Sequence, residues 1–243
     1  MSHLPIHLGR GPRWAAGAPV EGGYVTLDGE RFHRIRNADA MPPFLMSIVG
    51  ASDLWMFVSS SGGLTAGRVD ADGALFPYTP SDRLTEGFEH AGPKTILLVE
   101  RDGRRSLWEP FSERGRGAYR VERNVYKSVL GHEVRFEEIN HDLGLGFRYG
   151  WRGSDGFGLV RSAELSETRA AACRVEFLDG LQNLLPAGVT AAMQAGMSNL
   201  VDAYKRSELE PRTGLGLFAL SSILSDLAEP SEALRATTVF ALG

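Results

Sequence analysis

The densest polar run in the sequence is His132-Glu133-Val134-Arg135-Phe136-Glu137-Glu138-Ile139-Asn140-His141-Asp142. A histidine beside one or two carboxylates binds a metal or moves protons, provided that the groups converge. Side chains alternate along a strand, so His132, Val134, Phe136, Glu138 and Asn140 share one face and Glu133, Arg135, Glu137, Ile139 and His141 the other. Neither the helical H-E-x-x-H spacing nor a Cys/His pairing occurs here. A solvated sheet face accounts for the charges, and the sequence leads us to expect no metal and no cofactor.

Stacking on a sugar is the other chemistry on offer. Trp55, Trp108 and Trp151, with Tyr78, Tyr119 and Tyr149, supply flat apolar faces, although sandwich cores use the same residues. The sugar-contact candidates are therefore Trp55, Trp108 and Trp151, with His132, Glu138 and His141 as polar partners. Gly144-Leu145-Gly146 and Gly214-Leu215-Gly216 lack the βαβ setting that a dinucleotide loop needs, and read as turn or bulge glycines. Asp70-Ala71-Asp72-Gly73 begins like a calcium loop, but its downstream ligands are out of register. No P-loop and no G-x-S-x-G elbow is present.

The elements that must position these residues are mostly short strands. Strand-like runs cover Tyr24 to Leu27, Arg31 to Ile35, Phe44 to Val49, Leu54 to Ser59, Gly63 to Val69 and Ala74 to Tyr78. They resume at Thr95 to Glu100, Arg105 to Trp108, Ala118 to Asn124, Tyr126 to Val129, Glu133 to Asn140, Gly144 to Trp151, Gly158 to Leu165 and Ala170 to Leu178. Hairpin turns are predicted at Asp28-Gly29, Asp72-Gly73 and Asp102-Gly103, since Asp and Gly tolerate positive φ. One segment breaks the rhythm: Met193, Met197, Leu200, Val201 and Tyr204 fall at helical spacing between Thr190 and Leu209. Strand-like runs return at Leu215 to Ile223 and Leu234 to Leu242. The pattern predicts a mainly β fold, an antiparallel sandwich, with one or two helices around 190–210.

Residues 1–23 are dense in Pro and Gly and predict a flexible N-terminal arm, followed by one sandwich domain over 24–243. The final run has strand composition and no polar tail, so the expectation is a domain truncated at its C-terminus relative to a larger multidomain protein. A formal charge of -4 gives no global attraction to phosphate backbones, so nucleic acid is not an expected partner. The single cysteine, Cys173, cannot form an intramolecular disulfide and reads as a small strand residue. No signal-type run or 18-residue apolar stretch occurs, so no membrane partner is expected and the cytoplasm is the default compartment.

The order of several motifs resembles the N-terminal domain of the glycoside phosphorylase family typified by cellobiose and chitobiose phosphorylases, the glycosyltransferase 36 type. Ser59-Ser60-Ser61-Gly62-Gly63 is similar to the family's S-x-x-G-G turn, and Leu107-Trp108-Glu109-Pro110 to its strand ending in V-W-x-P. Tyr119-Arg120-Val121-Glu122 looks like the strand that follows, and Arg135 to Asn140 falls where the family has a second. Leu159 to Leu165, then Ser166-Glu167-Thr168, then Cys173 to Leu178, resembles its strand, polar turn and long strand. The sequence departs from the pattern at Asn124-Val125-Tyr126-Lys127-Ser128-Val129, which replaces a glycine-rich H-G-L-G-Y-T segment, and Ala187 to Pro211 looks like an insertion. The resemblance implies a large antiparallel super-β-sandwich, galactose mutarotase-like, at the N-terminus, packing on an (α/α)6 barrel that holds the general acid and the phosphate site. No catalytic residue carries over to this chain.

Three functions follow as expectations. The first is a non-catalytic sandwich module of a carbohydrate-active phosphorylase or hydrolase-like protein, partnered by a downstream catalytic domain, with sugar binding or a homodimer interface as further roles. The second is a stand-alone carbohydrate-binding protein with exposed aromatics. The third is an aldose mutarotase or epimerase, in which His132 or His141 and Glu137 or Glu138 meet in a pocket, with His33 or His90 opposite.

Overall fold

The computed structural model of the chain describes residues 6–7, 9, 19–169, 172–222 and 235–243. Most of the predicted arm, and parts of the predicted strands Ala170–Leu178, Leu215–Ile223 and Leu234–Leu242, lie outside the described residues. Among the described residues, sixteen strands run in the order β1 (Ile6–His7), β2 (Glu21–Leu27), β3 (Glu30–Arg36), β4 (Leu45–Ile48), β5 (Leu54–Ser59), β6 (Leu64–Arg68), β7 (Gly92–Arg101) and β8 (Arg104–Trp108). They continue with β9 (Val121–Ser128), β10 (Glu133–Asn140), β11 (Leu145–Ser154), β12 (Gly158–Glu167), β13 (Arg174–Gln182), β14 (Lys205–Glu210), β15 (Leu215–Leu220) and β16 (Thr237–Val239).

The fold is mainly β, as the spacing of strand and turn signals predicts. A six-stranded sheet in the order β12-β11-β10-β9-β3-β2 faces a four-stranded sheet, β1-β8-β7-β13, and two three-stranded sheets, β4-β5-β6 and β14-β15-β16, flank them. All pairings are antiparallel except β1 with β8. One core cluster joins Leu97, Val99 and Trp108 from the smaller sheet to Val125, Val134, Phe136, Phe147 and Trp151 from the larger, and to Met46, Met56 and Val58 from β4 and β5. That shared cluster makes the assembly a sandwich, because each sheet hides its apolar face against the other. A second cluster under β15 holds Leu185, Val189, Val201 and Leu220.

The hairpin signals at Asp28-Gly29 and Asp102-Gly103 hold, with positive φ at both residues of each pair (51° and 81°, 50° and 71°), as a primed turn requires. Asp72-Gly73 differs. Asp70 accepts from the Asp72 and Gly73 amides and folds the segment into a 3-10 turn; an isolated bridge from Ala74 to Gly67 and the Leu75 and Phe76 amides on the Ala66 carbonyl tie it to β6, and the strand expected over Ala74 to Tyr78 does not form. The helix expected between Thr190 and Leu209 is likewise shorter. After α1 (Ser81–Leu84), the chain forms α2 (Ala191–Gly196) and α3 (Ser198–Tyr204) and then enters β14. Thr190 caps α2 by accepting from the Met193 amide, and the helical run breaks at Met197, whose backbone leaves the helical region (φ -145°, ψ 37°). From Lys205 onward the backbone pairs with β15, so tertiary pairing overrides the local period. Among the described residues no helix is long and apolar enough to cross a membrane.

Candidate functional site

Strand β10 carries the run on which the acid–base readings rest, and its alternation is the one the sequence predicts. Val134, Phe136, Glu138 and Asn140 point into the sandwich, opposite Trp151, Tyr149, Phe147 and Leu145 of β11. Glu133, Arg135, Glu137 and Ile139 point to the outer face.

On the inner face Glu138 is buried with both oxygens engaged. Trp108 Nε1 donates to Oε1 at 2.7 Å, while the Phe111 amide at 2.7 Å and Arg123 Nε at 2.8 Å donate to Oε2. Arg123 stands directly across from Glu138 on β9 and also reaches Glu113 Oε1 at 2.7 Å and the Ser112 carbonyl. Burial works against the Arg123 charge, but the Glu138 and Glu113 carboxylates outweigh it and raise its pKa. Glu89 tightens the same loop, accepting from Ser112 Oγ, the Glu113 amide and Lys94. Burial would raise the Glu89 pKa, yet these donors hold it below the ordinary value. A cavity of about 260 Å³ lies beneath this loop, walled by Leu107, Trp108, Tyr119, Arg123 and Glu138, with Arg114 and Arg116 from the loop itself. That is slightly below the usual range for a small-molecule site.

The outer face carries a second network. Glu137 Oε2 accepts from Tyr126 OH at 2.5 Å and Asn124 Nδ2 at 3.0 Å, and Oε1 from Arg148 Nη2 at 2.5 Å. Burial raises a carboxyl's pKa, and here the three donors win and lower it. The Tyr126 phenol shifts the opposite way, raised by burial and then by Glu137. Arg36 extends the network with a two-point pair to Glu122, which Asn124 also contacts.

The structure brings Trp108 and Glu138 together and scatters the other sugar-contact candidates. Trp108 and Trp151 are buried, Trp151 meeting the Phe76 ring edge-on at 6.1 Å. The face of Trp151 is spent on the core, because β11 turns it inward, whereas Trp108 is buried where it walls the cavity beside Glu138. Glu138 lines the same cavity, with its carboxylate already accepting from Trp108, Phe111 and Arg123. His132 and His141 sit at opposite ends of β10 and do not meet. His132 contacts Glu30, and the His141 amide donates to the Arg120 carbonyl. Trp55 alone belongs to a partly exposed aromatic group, with Phe57 at 6.3 Å and Tyr78 at 5.9 Å. A side chain at Gly67 would collide with the Trp55 ring, so this glycine is what lets the indole lie across β6.

Sequence reasoning missed Arg123 and Glu30. A turn centred on Leu130 and Gly131 pairs Glu138 with Arg123 by register alone, so that signal was available. Nothing local signals Glu30.

The outer edges carry the remaining unusual feature. Strands β12 and β13 end the two facing sheets, and Arg161 of β12 clamps Asp179 of β13 through two contacts of 2.6 and 2.9 Å. Beyond this clamp the interior is uncovered. Leu97 is 2% exposed, but its cross-strand neighbour Phe177 is 73% exposed; Phe147 is 4% exposed, and its neighbour Leu165 is 38% exposed. Cross-strand neighbours share a face, so Phe177 and Leu165 face the interior side, Phe177 with most of its surface and Leu165 with over a third of it uncovered among the described residues. No protein-family model and no curated protein sequence matches this chain.

Proposed function

We propose that the chain serves as a non-catalytic β-sandwich module of a carbohydrate-active, phosphorylase or hydrolase-like protein, packing against a catalytic (α/α)6 barrel in the cytoplasm. The observation that carries this reading is the uncovered interior between β12 and β13, where inward-facing Phe177 and Leu165 lie on two long edge strands. A long unpaired edge with apolar residues invites association, and a partner domain closes it. The motif order from Ser59 to Leu178 supplies the kind of partner. The engaged state of Glu137 and Glu138 supports a supporting rather than a chemical role, since no described histidine shares a pocket with either. For the same reason the mutarotase or epimerase reading is set aside.

Carbohydrate contact is a second reading, carried by the exposed aromatic group Trp55, Phe57 and Tyr78. It requires no barrel.

The test is the intact mass of the native polypeptide, captured from its source cells with an antibody against this segment. A species far heavier than 26.4 kDa that phosphorolyses or hydrolyses a glycoside is the expected result. A 26.4 kDa species acting without a partner overturns it, and sugar-dependent quenching of Trp55 fluorescence in that species then favours the second reading.

A further inference from the structure

From the juxtaposition of Glu30, His132 and Glu133 we infer a first-row divalent metal site, for which Zn2+ is the natural probe, stapling the β2–β3 hairpin to the β9–β10 turn. One ligand atom from each residue lies within 4.8 Å of the other two. Ligands about 2.1 Å from a tetrahedral metal are themselves about 3.4 Å apart, so modest side-chain rotation closes the site. One imidazole and two carboxylates suit zinc and its neighbours in the first row better than calcium or magnesium, which favour all-oxygen shells.

The hydrogen bonding around the imidazole strengthens the assignment. Ser128 Oγ accepts the Glu133 amide at 3.1 Å and lies 3.4 Å from His132 Nδ1. With Ser128 Oγ beside Nδ1, Nε2 is the ring nitrogen that faces Glu30 Oε2, 3.1 Å away. A histidine ligand is ordinarily held by such an outer partner on its second nitrogen. Glu133 supplies the third ligand. Arg135 Nε takes its Oε1 at 2.6 Å, which leaves Oε2 for the ion, and a second carboxylate is more than a simple His–Glu ion pair needs. Asp28 balances Arg135 from the other side at 2.6 Å, so the site keeps its negative charge. Solvent reaches Glu30, which gives the ion an entry path and a water for the fourth position.

The site was invisible in sequence because His132 and Glu133 have no third ligand at motif spacing; the pairing of β3 with β9 brings Glu30 in. The inference is independent of the module reading.

Isothermal titration of Zn2+ into the metal-stripped full chain at pH 7 tests it, with circular dichroism to confirm that each variant is folded. One equivalent is expected to bind and to raise the unfolding midpoint, and His132→Ala and Glu30→Gln are each expected to weaken binding by at least about tenfold. His33→Ala and His90→Ala should bind like the parent chain. Failure to bind one equivalent, or equal binding by the parent, His132→Ala and Glu30→Gln chains, would overturn the inference.

Discussion

Glu137 and Glu138 are chemically identical neighbours on one strand, and they anchor two different regions. Glu138 looks inward and ties β9, β8 and the loop after β8 into one buried knot through Arg123, Trp108 and Phe111. Glu137 looks outward into a network of Tyr126, Asn124 and Arg148 on the open face of the six-stranded sheet. Both are fully hydrogen-bonded. The difference lies in what happens when the carboxylate is lost: water can reach the Arg148 head, which keeps 29% of its side-chain surface exposed, but the Arg123 side chain is only 16% exposed.

The largest effect should come from Glu138→Ala. It removes the shared acceptor of an indole N–H, a backbone N–H and the Arg123 Nε–H, leaving Arg123 only Glu113 and the Ser112 carbonyl, and breaking a buried pair costs about 3–5 kcal/mol. Urea unfolding of the variant measures this. A loss no larger than that of an outer-face variant would erase the distinction between the two regions.

Glu137→Gln is the matching outer-face substitution and should cost about 1–3 kcal/mol, because shape and some hydrogen bonds survive and the partners can rehydrate. The same variant sharpens the pH argument. A carboxyl whose folded pKa is lowered gives stability that is present above its unfolded value, near 4.5, and lost as pH falls through the folded value. Glu137→Gln should therefore flatten the acid limb of the stability curve below about pH 4.5. Tyr126 works at the other limb. Its folded pKa is raised, so its contribution is full below the unfolded value of 10.0 and is lost at higher pH as the phenol ionises. Tyr126→Phe should lose stability at neutral pH and gain resistance to alkali, read by denaturant midpoints across the pH range.

These two residues also show what was legible in the sequence. Alternation along Glu133–Asn140 separated them onto opposite faces, and strand composition located β5 and β10 at their observed bounds. Local patterns could not show that Glu138 lies on a face otherwise filled by Val134 and Phe136 because Arg123 meets it there. A charge in a core is intelligible only with its partner, and partners are set by register. Trp108 and Trp151 illustrate the same limit: an aromatic on a strand has one face for the core and one for solvent, and which is which depends on the opposing sheet. The helix expected through Lys205 failed for a related reason, since pairing with β15 outweighed a local period already broken at Met197.

The smallest expected effect falls where neither carboxylate reaches. Phe177→Asp should change the stability of the isolated chain by no more than about 0.5 kcal/mol, the usual range for exposed positions, because the ring is largely solvated. In a native polypeptide that includes a covering domain the same substitution places a charge against an apolar surface, and should loosen it, seen as faster proteolysis between the two. Leu97→Asp, one strand inward, controls for mere intolerance of charge in β7 and β13, and should unfold the chain outright. If Phe177→Asp instead destabilises the isolated chain as Leu97→Asp does, then this chain itself covers Phe177 in solution, and the open edge offers no place for a partner.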